Sequence, residues 1–277
     1  MGAIQRMSDY LPCDGTLAGL RLCSDKKCRR STVLAAQNGH LDCLKYAHSH
    51  GHKWHRNVTR VAASRGHFEC LRYAHENGCK WHPETTWDAA RDGHFECLRY
   101  AHENGCKWHP KTTYVAAEYG HLECLRYAHD NGCKWHPETT YIAALYGQLG
   151  CLRYSHDSPG VSCEWHPQTT YAAAEGGHLG CLEYAYACTR ENDLEAPMGV
   201  SCVWDPDTVW IAAEQGHLDC LMYIYDHCDV TWEDANLEAE FDTFNKEVRD
   251  FIDGVREDWE RGMNKPGLRT KSAVNGC

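Results

Sequence analysis

Cysteine and histidine recur in this chain at spacings that suit a tetrahedral metal. Cys97, His102, Cys106 and His109 read C-x4-H-x3-C-x2-H, and the set returns as Cys70, His75, Cys79, His82 and as Cys124, His129, Cys133, His136. Thiolate and imidazole in fours are the ligand chemistry of zinc. Divergent copies carry more weight than identical ones, because recent duplicates copy everything. Cys43, His48, His52 and His55 exchange a cysteine for a histidine and so keep a ligand. Cys151, His156, Cys163 and His166 survive an insertion around Ser158-Pro159-Gly160, and in the next copy both histidines go together, to Tyr186 and Asp205. Zinc, as a staple in each repeat or as cargo, is the cofactor these sets imply.

Helix geometry opposes the simplest version. Five residues along a helix rotate the side chain by about 500° and advance it ~7.5 Å, so Cys97 and His102 point about 140° apart. His102, Cys106 and His109 with a fourth ligand from a neighbouring repeat is the more workable set. The other reading needs no metal: Cys97 serves as a small core hydrophobe, His102 hydrogen-bonds a connector carbonyl of the next repeat, and Asp205 caps a helix. Both readings stand at this level. Cys13, Cys23 and Cys28 make a further candidate set near the N-terminus.

Catalysis finds no footing. The sequence has no Gly-rich phosphate loop, no Gly-x-Ser-x-Gly elbow and no His-Glu-x-x-His, and its 18 cysteines are many and repeated. A nucleophile is one unusual residue in a pocket. A non-enzymatic protein is expected.

The elements that carry these residues follow from a marker pair, Gly-His. It recurs at His40, His67, His94 and His121, then as Gln148 after Gly147, every 27 residues, and the interval stretches to 30 at His178 and 39 at His217. Such self-similarity marks stacked units rather than one globular core. Within a unit, Pro110 (and Pro83, Pro137, Pro167, Pro206) is expected to open a first helix, since proline suits the first helical position. That helix runs through an Ala-Ala pair and stops at the Gly before His. A second helix follows, Leu122 to Asp130, stopping at Asn131-Gly132, and small residues such as Ala116-Ala117 let the two helices approach.

The order Thr, Ala-Ala, two free positions, Gly-His, then Leu125, Ala128-His129 and Gly132-Cys133 resembles the ankyrin repeat. The resemblance covers about residues 30–232 and is nearest to the short Cys-, His- and Trp-rich ankyrin-like repeats of algae, protists and giant viruses. The unit here is 27 residues against about 33 for the usual ankyrin, and the shortfall lies between Gly132 and Thr139, where ankyrins carry a β-hairpin finger. The resemblance implies an all-α, ankyrin-like solenoid of seven helix-turn-helix units and a protein-binding role. Residues 1–29 are read as a degenerate capping repeat, with Leu17, Leu20 and Leu22 in a short helix. Residues 233–262 are read as one amphipathic helix, from Leu237, Phe241, Phe244, Val248, Phe251, Ile252, Val255 and Trp259 at steps of three and four. Residues 233–261 carry 11 acidic and 4 basic side chains. The tail 263–277 is expected to be disordered.

Specificity is expected where similar repeats differ. Tyr114 and Tyr141 occupy first-helix positions with Trp87, Tyr171 and Trp210, and the residues before each Gly vary: Arg91-Asp92, Glu118-Tyr119, Leu145-Tyr146, Glu175, Glu214-Gln215. Large aromatics with mixed charge are the composition of interface hot spots. Packing between repeats is the other account of the tyrosines. Trp54, Trp81, Trp108, Trp135, Trp165, Trp204 and Trp232 read as plugs over the connectors. Lys45, Arg72, Arg99, Arg126 and Arg153 make a basic column, but Asp42, Glu69, Glu96 and Glu123 sit three residues earlier and pair it locally. A formal charge of -11 disfavours nucleic acid, whose affinity needs clustered Lys and Arg. No apolar run spans a membrane, and the N-terminal residues lack a secretory core, so an intracellular protein, cytoplasmic or nuclear, with a protein partner is expected. Docking of the last helix into a larger assembly stays open.

Overall fold

The computed structural model describes residues 25–158, 162–191, 207–227 and 244–260, together with the backbone of 16–17 and 20–21; for 189–191 and 258–260 the backbone alone is described. About two-thirds of the described residues are helical, and helices that follow one another in sequence pack together. They fall into two compact units, Met1–His136 and Pro137–Cys277.

The first unit carries α1 (Thr32–Gln37), α2 (Leu41–Ser49), α3 (Val58–Ser64), α4 (Phe68–Glu76), α5 (Thr85–Arg91), α6 (Phe95–Glu103), α7 (Thr112–Glu118) and α8 (Leu122–Asp130). Alone, helices this short are unstable in water. Packing holds them: Ala89, Ala90, Ala116 and Ala117 are fully buried, and so are Leu44, Leu71, Leu98 and Leu125, one per second helix. α8 spans the residues that the sequence predicts. It ends in a Schellman motif, with Gly132 at φ 85°, the Cys133 N–H donating to Ala128 O at 2.9 Å and the Gly132 N–H to His129 O at 3.0 Å; this arrangement satisfies carbonyls the helix end leaves open.

Two expectations about helix starts are corrected. Proline does not open the helix: His109 to Thr112 forms a tight turn closed by the Thr112 N–H on His109 O at 3.0 Å, and α7 begins at Thr112. Histidine, a poor cap by type, caps this turn through its ring, because His109 Nδ1 accepts from the Lys111 N–H at 3.2 Å. Near the N-terminus, Leu17 and Leu20 are not helical. Thr16–Leu17 (β1) pairs antiparallel with Leu20–Arg21 (β2), Leu22 lies outside the described residues, and Cys28–Arg30 forms a 3-10 turn.

The Gly-His marker joins successive helix pairs. Gly39 stands at φ 70°, and a Cβ built on it would lie 2.6 Å from Nδ1 of His67 in the next pair. His67 Nε2 meets Gln37 O at 3.2 Å. His94 fills the same space at Gly66, and His121 at Gly93. Gly39, Gly66 and Gly93 therefore each receive the ring of the following His, and nothing larger than hydrogen fits there.

The second unit carries α9 (Thr139–Leu145), α10 (Leu149–Asp157), α11 (Thr169–Glu175), α12 (Leu179–Glu191), α13 (Thr208–Gln215), α14 (Leu218–His227) and α15 (Lys246–Glu260). His178 lies against Gly147 as in the first unit. Gly216, the last of the series, meets the Asn245 side-chain amide instead. Asn245 also caps α15, accepting the Val248 N–H at 2.9 Å, so the single helix expected from Leu237 through Trp259 does not run unbroken: Phe244 and Asn245 precede the helical residues. Phe244, Val248, Ile252 and Val255 are buried, and Phe251 meets Tyr225 of α14 edge to face at 5.9 Å. Leu237 and Phe241, like the tail 263–277, lie outside the described residues.

Candidate functional site: the first-helix face and the connector ladder

The repeated polar residues sort onto two faces. On the second helices, His102 stacks on Trp108 with ring centroids 4.3 Å apart, and its Nδ1 lies 3.2 Å from the Tyr127 hydroxyl of the next pair. Trp108 donates its indole N–H to Asn131 O at 3.0 Å. His75, Trp81, Tyr100 and Asn104 repeat the arrangement, as do His48, Trp54, Tyr73 and Asn77. Burial pushes the Tyr73, Tyr100 and Tyr127 hydroxyls up, so they stay protonated at neutral pH. The partner of these histidines is thus a tyrosine hydroxyl rather than the connector carbonyl expected. In the second unit His156 packs on Trp165 and lies 3.1 Å from the Tyr184 hydroxyl.

The connectors are held by a residue type that the sequence reading passed over. Thr86 is fully buried; its hydroxyl donates to Lys107 O at 3.2 Å and accepts the His109 N–H at 3.0 Å. Thr32, Thr59 and Thr113 do the same for His55, His82 and His136, and in the second unit Thr140 accepts the His166 N–H at 2.9 Å. The Thr that recurs at one repeat position, from Thr32 to Thr140, was the available signal.

These contacts place the expected metal ligands. In the connectors, Nδ1 of His55, His82, His109 and His166 accepts a backbone N–H two residues on. Burial lowers the His82 and His109 pKa values, favouring neutral rings. Cys43, Cys70, Cys97, Cys124 and Cys151 are buried on the second helices, and Cys79, Cys106, Cys133 and Cys163 are buried under the connectors. Burial pushes Cys70 and Cys97 up to about 12 and Cys79, Cys106, Cys133 and Cys163 up to about 11. Thiols held protonated in this way pack as small hydrophobes and are poor nucleophiles. Among the described residues, the one group of three His, Cys or acidic side chains whose ligand atoms lie within 4.8 Å of one another is Cys28, His40 and Cys43. It draws Cys43 from the repeated sets and Cys28 from the N-terminal candidate set, whose Cys13 and Cys23 lie outside the described residues, and it leaves His48, His52 and His55 apart.

The opposite face is irregular. A cleft of about 300 Å³ opens over α1, α3 and α5, lined by Gln37, Arg60, Ser64, Arg65, Asp88 and Arg91 among others. Asp88 is its anomaly. The repeat position it holds is Val61, Val115 and Ile142 elsewhere, yet its side chain is 2% exposed. Burial raises its pKa, while Arg60 and Arg91 oppose that shift. Arg60 Nε lies 2.7 Å from one carboxylate oxygen and Arg91 Nη1 lies 3.1 Å from the other. Arg91 also donates twice to Asp92, at 2.9 and 2.7 Å. Comparing repeats column by column would have found Asp88.

The expected partner-binding residues divide as follows. Arg91 and Asp92 form an ion pair beside the cleft. Tyr119 and Tyr146, one in each unit, are 52% and 50% exposed, and Glu214 and Gln215 are exposed as well. Glu118, Leu145 and Glu175 are half-buried. Tyr114 packs edge-on to His136, and Tyr141 to His166, each at 5.1 Å, which fits the packing account of that column. Within the basic column, Arg72 pairs with Glu69, and Arg99 lies over Phe95. No helix among the described residues is long and apolar enough to cross a membrane. Compared with known proteins, the chain matches no family model and no curated relative.

Proposed function

We propose that this chain is a non-enzymatic interaction scaffold, an ankyrin-like solenoid of seven short helix pairs whose first-helix face holds a partner protein. The observation that carries the reading is Asp88 beneath its cleft. A buried carboxylate loses hydration that its ion pairs only partly restore, and apolar replacement of a whole buried ion pair is often neutral or stabilising. The equivalent helices use Val61 and Val115 at no such cost. What Asp88 provides is position: it fixes Arg60 and Arg91 at the cleft, beside Ser64, Gln37 and exposed Arg65. Both guanidinium groups are already shared, Arg60 with Glu84 and Arg91 with Asp92, so an acidic stretch of the partner would engage their remaining N–H groups together with exposed Arg65, and groups held in place lose little freedom on that meeting. Tyr119, one helix pair further at the repeat position of Arg65 and Asp92, adds an exposed aromatic anchor.

Peptides selected for binding to the full chain from a displayed random library test this. Selected ligands are expected to be rich in Asp and Glu, and Arg65→Glu and Tyr119→Ala should each weaken them at least about tenfold with unchanged circular dichroism. Ligands that bind both variants as well as the parent would place the binding surface elsewhere.

A further inference from the structure

The first histidine of the series differs from its counterparts in the same unit. His67 lies over Gly39 and meets Gln37 O. His40 holds the same place after its own glycine, but its Nδ1 lies 3.3 Å from Cys28 Sγ. Cys28 comes from the 3-10 turn ahead of α1, and Cys43 follows His40 by three residues in the first turn of α2. The two sulfurs and the ring nitrogen lie within 4.8 Å of one another. We propose that Cys28, His40 and Cys43 form a zinc site that closes the N-terminal end of the first unit's helix array.

The ligand geometry fits. Zinc bonds of about 2.3 Å to sulfur and 2.0–2.1 Å to nitrogen at tetrahedral angles set the sulfurs about 3.8 Å apart and sulfur from nitrogen about 3.6 Å. The three side chains reach those spacings with movements under about 1 Å. Two thiolates with an imidazole select zinc over magnesium or calcium. Both thiols are fully buried while His40 is partly exposed, so the fourth position is open to water or a further donor.

The neighbouring pair explains why the site belongs at this end. His67 and Cys70 keep the same spacing as His40 and Cys43, but the space beside His67 is taken by Gly39 and the Gln37 carbonyl. At His40 the turn supplies Cys28, so the ion ties the segment ahead of α1 to α2. The site shares only Cys43 with the repeated sets and stands apart from the interaction reading.

The test is titration of the metal-stripped full chain with Co²⁺ and then Zn²⁺. One ion per chain is expected, with the strong visible absorption of tetrahedral cobalt thiolate. Loss of even a supporting group around a metal weakens it about 10–100-fold, so Cys28→Ser should cost at least that. Cys28→His, which keeps a ligand, should retain the ion with weaker sulfur-to-cobalt absorption. Cys97→Ser and His102→Ala should leave one ion per chain. A parent chain that binds none, or a Cys28→Ser chain with the parent's stoichiometry and spectrum, overturns the site.

Discussion

The two faces of the first unit use repetition in opposite ways. On the second-helix side, His48, His75 and His102 make one contact three times over, each with a tryptophan and the next pair's tyrosine. On the first-helix side, the positions of Arg60, Asp88 and Arg91 are Trp87, Val115 and Glu118 one helix pair on, and the cleft lies where that particular set meets. Identical residues at every step hold neighbouring pairs in register. Residues that change from step to step serve something other than the stack.

The comparison breaks most visibly at the glycines. Gly66→Ala sets a Cβ 2.6 Å from the His94 ring at a φ of 68°, combining overpacking with backbone strain, and should cost about 3 kcal/mol in urea unfolding. Gly78 has φ 86° with nothing within 4 Å, so Gly78→Ala should cost only the strain, about 1 kcal/mol. Equal losses would mean that the Gly-His contact does not matter. Next in size, His102→Ala removes the Trp108 stack and the Tyr127 hydrogen bond and should cost about 2 kcal/mol without altering peptide binding.

A smaller effect comes with acid. Burial lowers the pKa values of His67, His82 and His109 below their ordinary value. The folded chain therefore binds fewer protons than the unfolded chain as pH falls below about 6.5, and stability present above that pH is progressively lost beneath it. Melting temperature should drop between pH 7 and pH 5, and His82→Gln should flatten that slope. Smallest in stability is Asp88→Val: the two arginines it leaves are partly exposed and keep Glu84 and Asp92 as partners, so unfolding should shift by under about 1 kcal/mol while binding is abolished. A large loss of stability with binding intact would return Asp88 to the core.

The sequence revealed much of this because helix stops are local. Gly132 after Asn131 ends α8 where the pattern said it would, and the Ala pairs are buried as their size implied. Contacts between helix pairs were less legible. Gly39 and His67 are 28 residues apart, and the pair looks like a marker until the second ring is seen in the first glycine's space. His102 and Cys106 have the residue types of metal ligands, but a nine-residue helix and its Schellman end direct them to different partners. The group that does converge, Cys28 with His40 and Cys43, joins a turn to a helix, and spacing along the chain carries no trace of that fold.

The most direct test of the two-face account is hydroxyl-radical labelling of the full chain with and without a selected acidic peptide, read residue by residue. Protection at Tyr119 and the α3 and α5 residues lining the cleft, with Tyr100, Trp108 and Tyr127 unchanged, is the expected result. Protection centred on Tyr100, Trp108 and Tyr127, with Tyr119 still fully labelled, would contradict it.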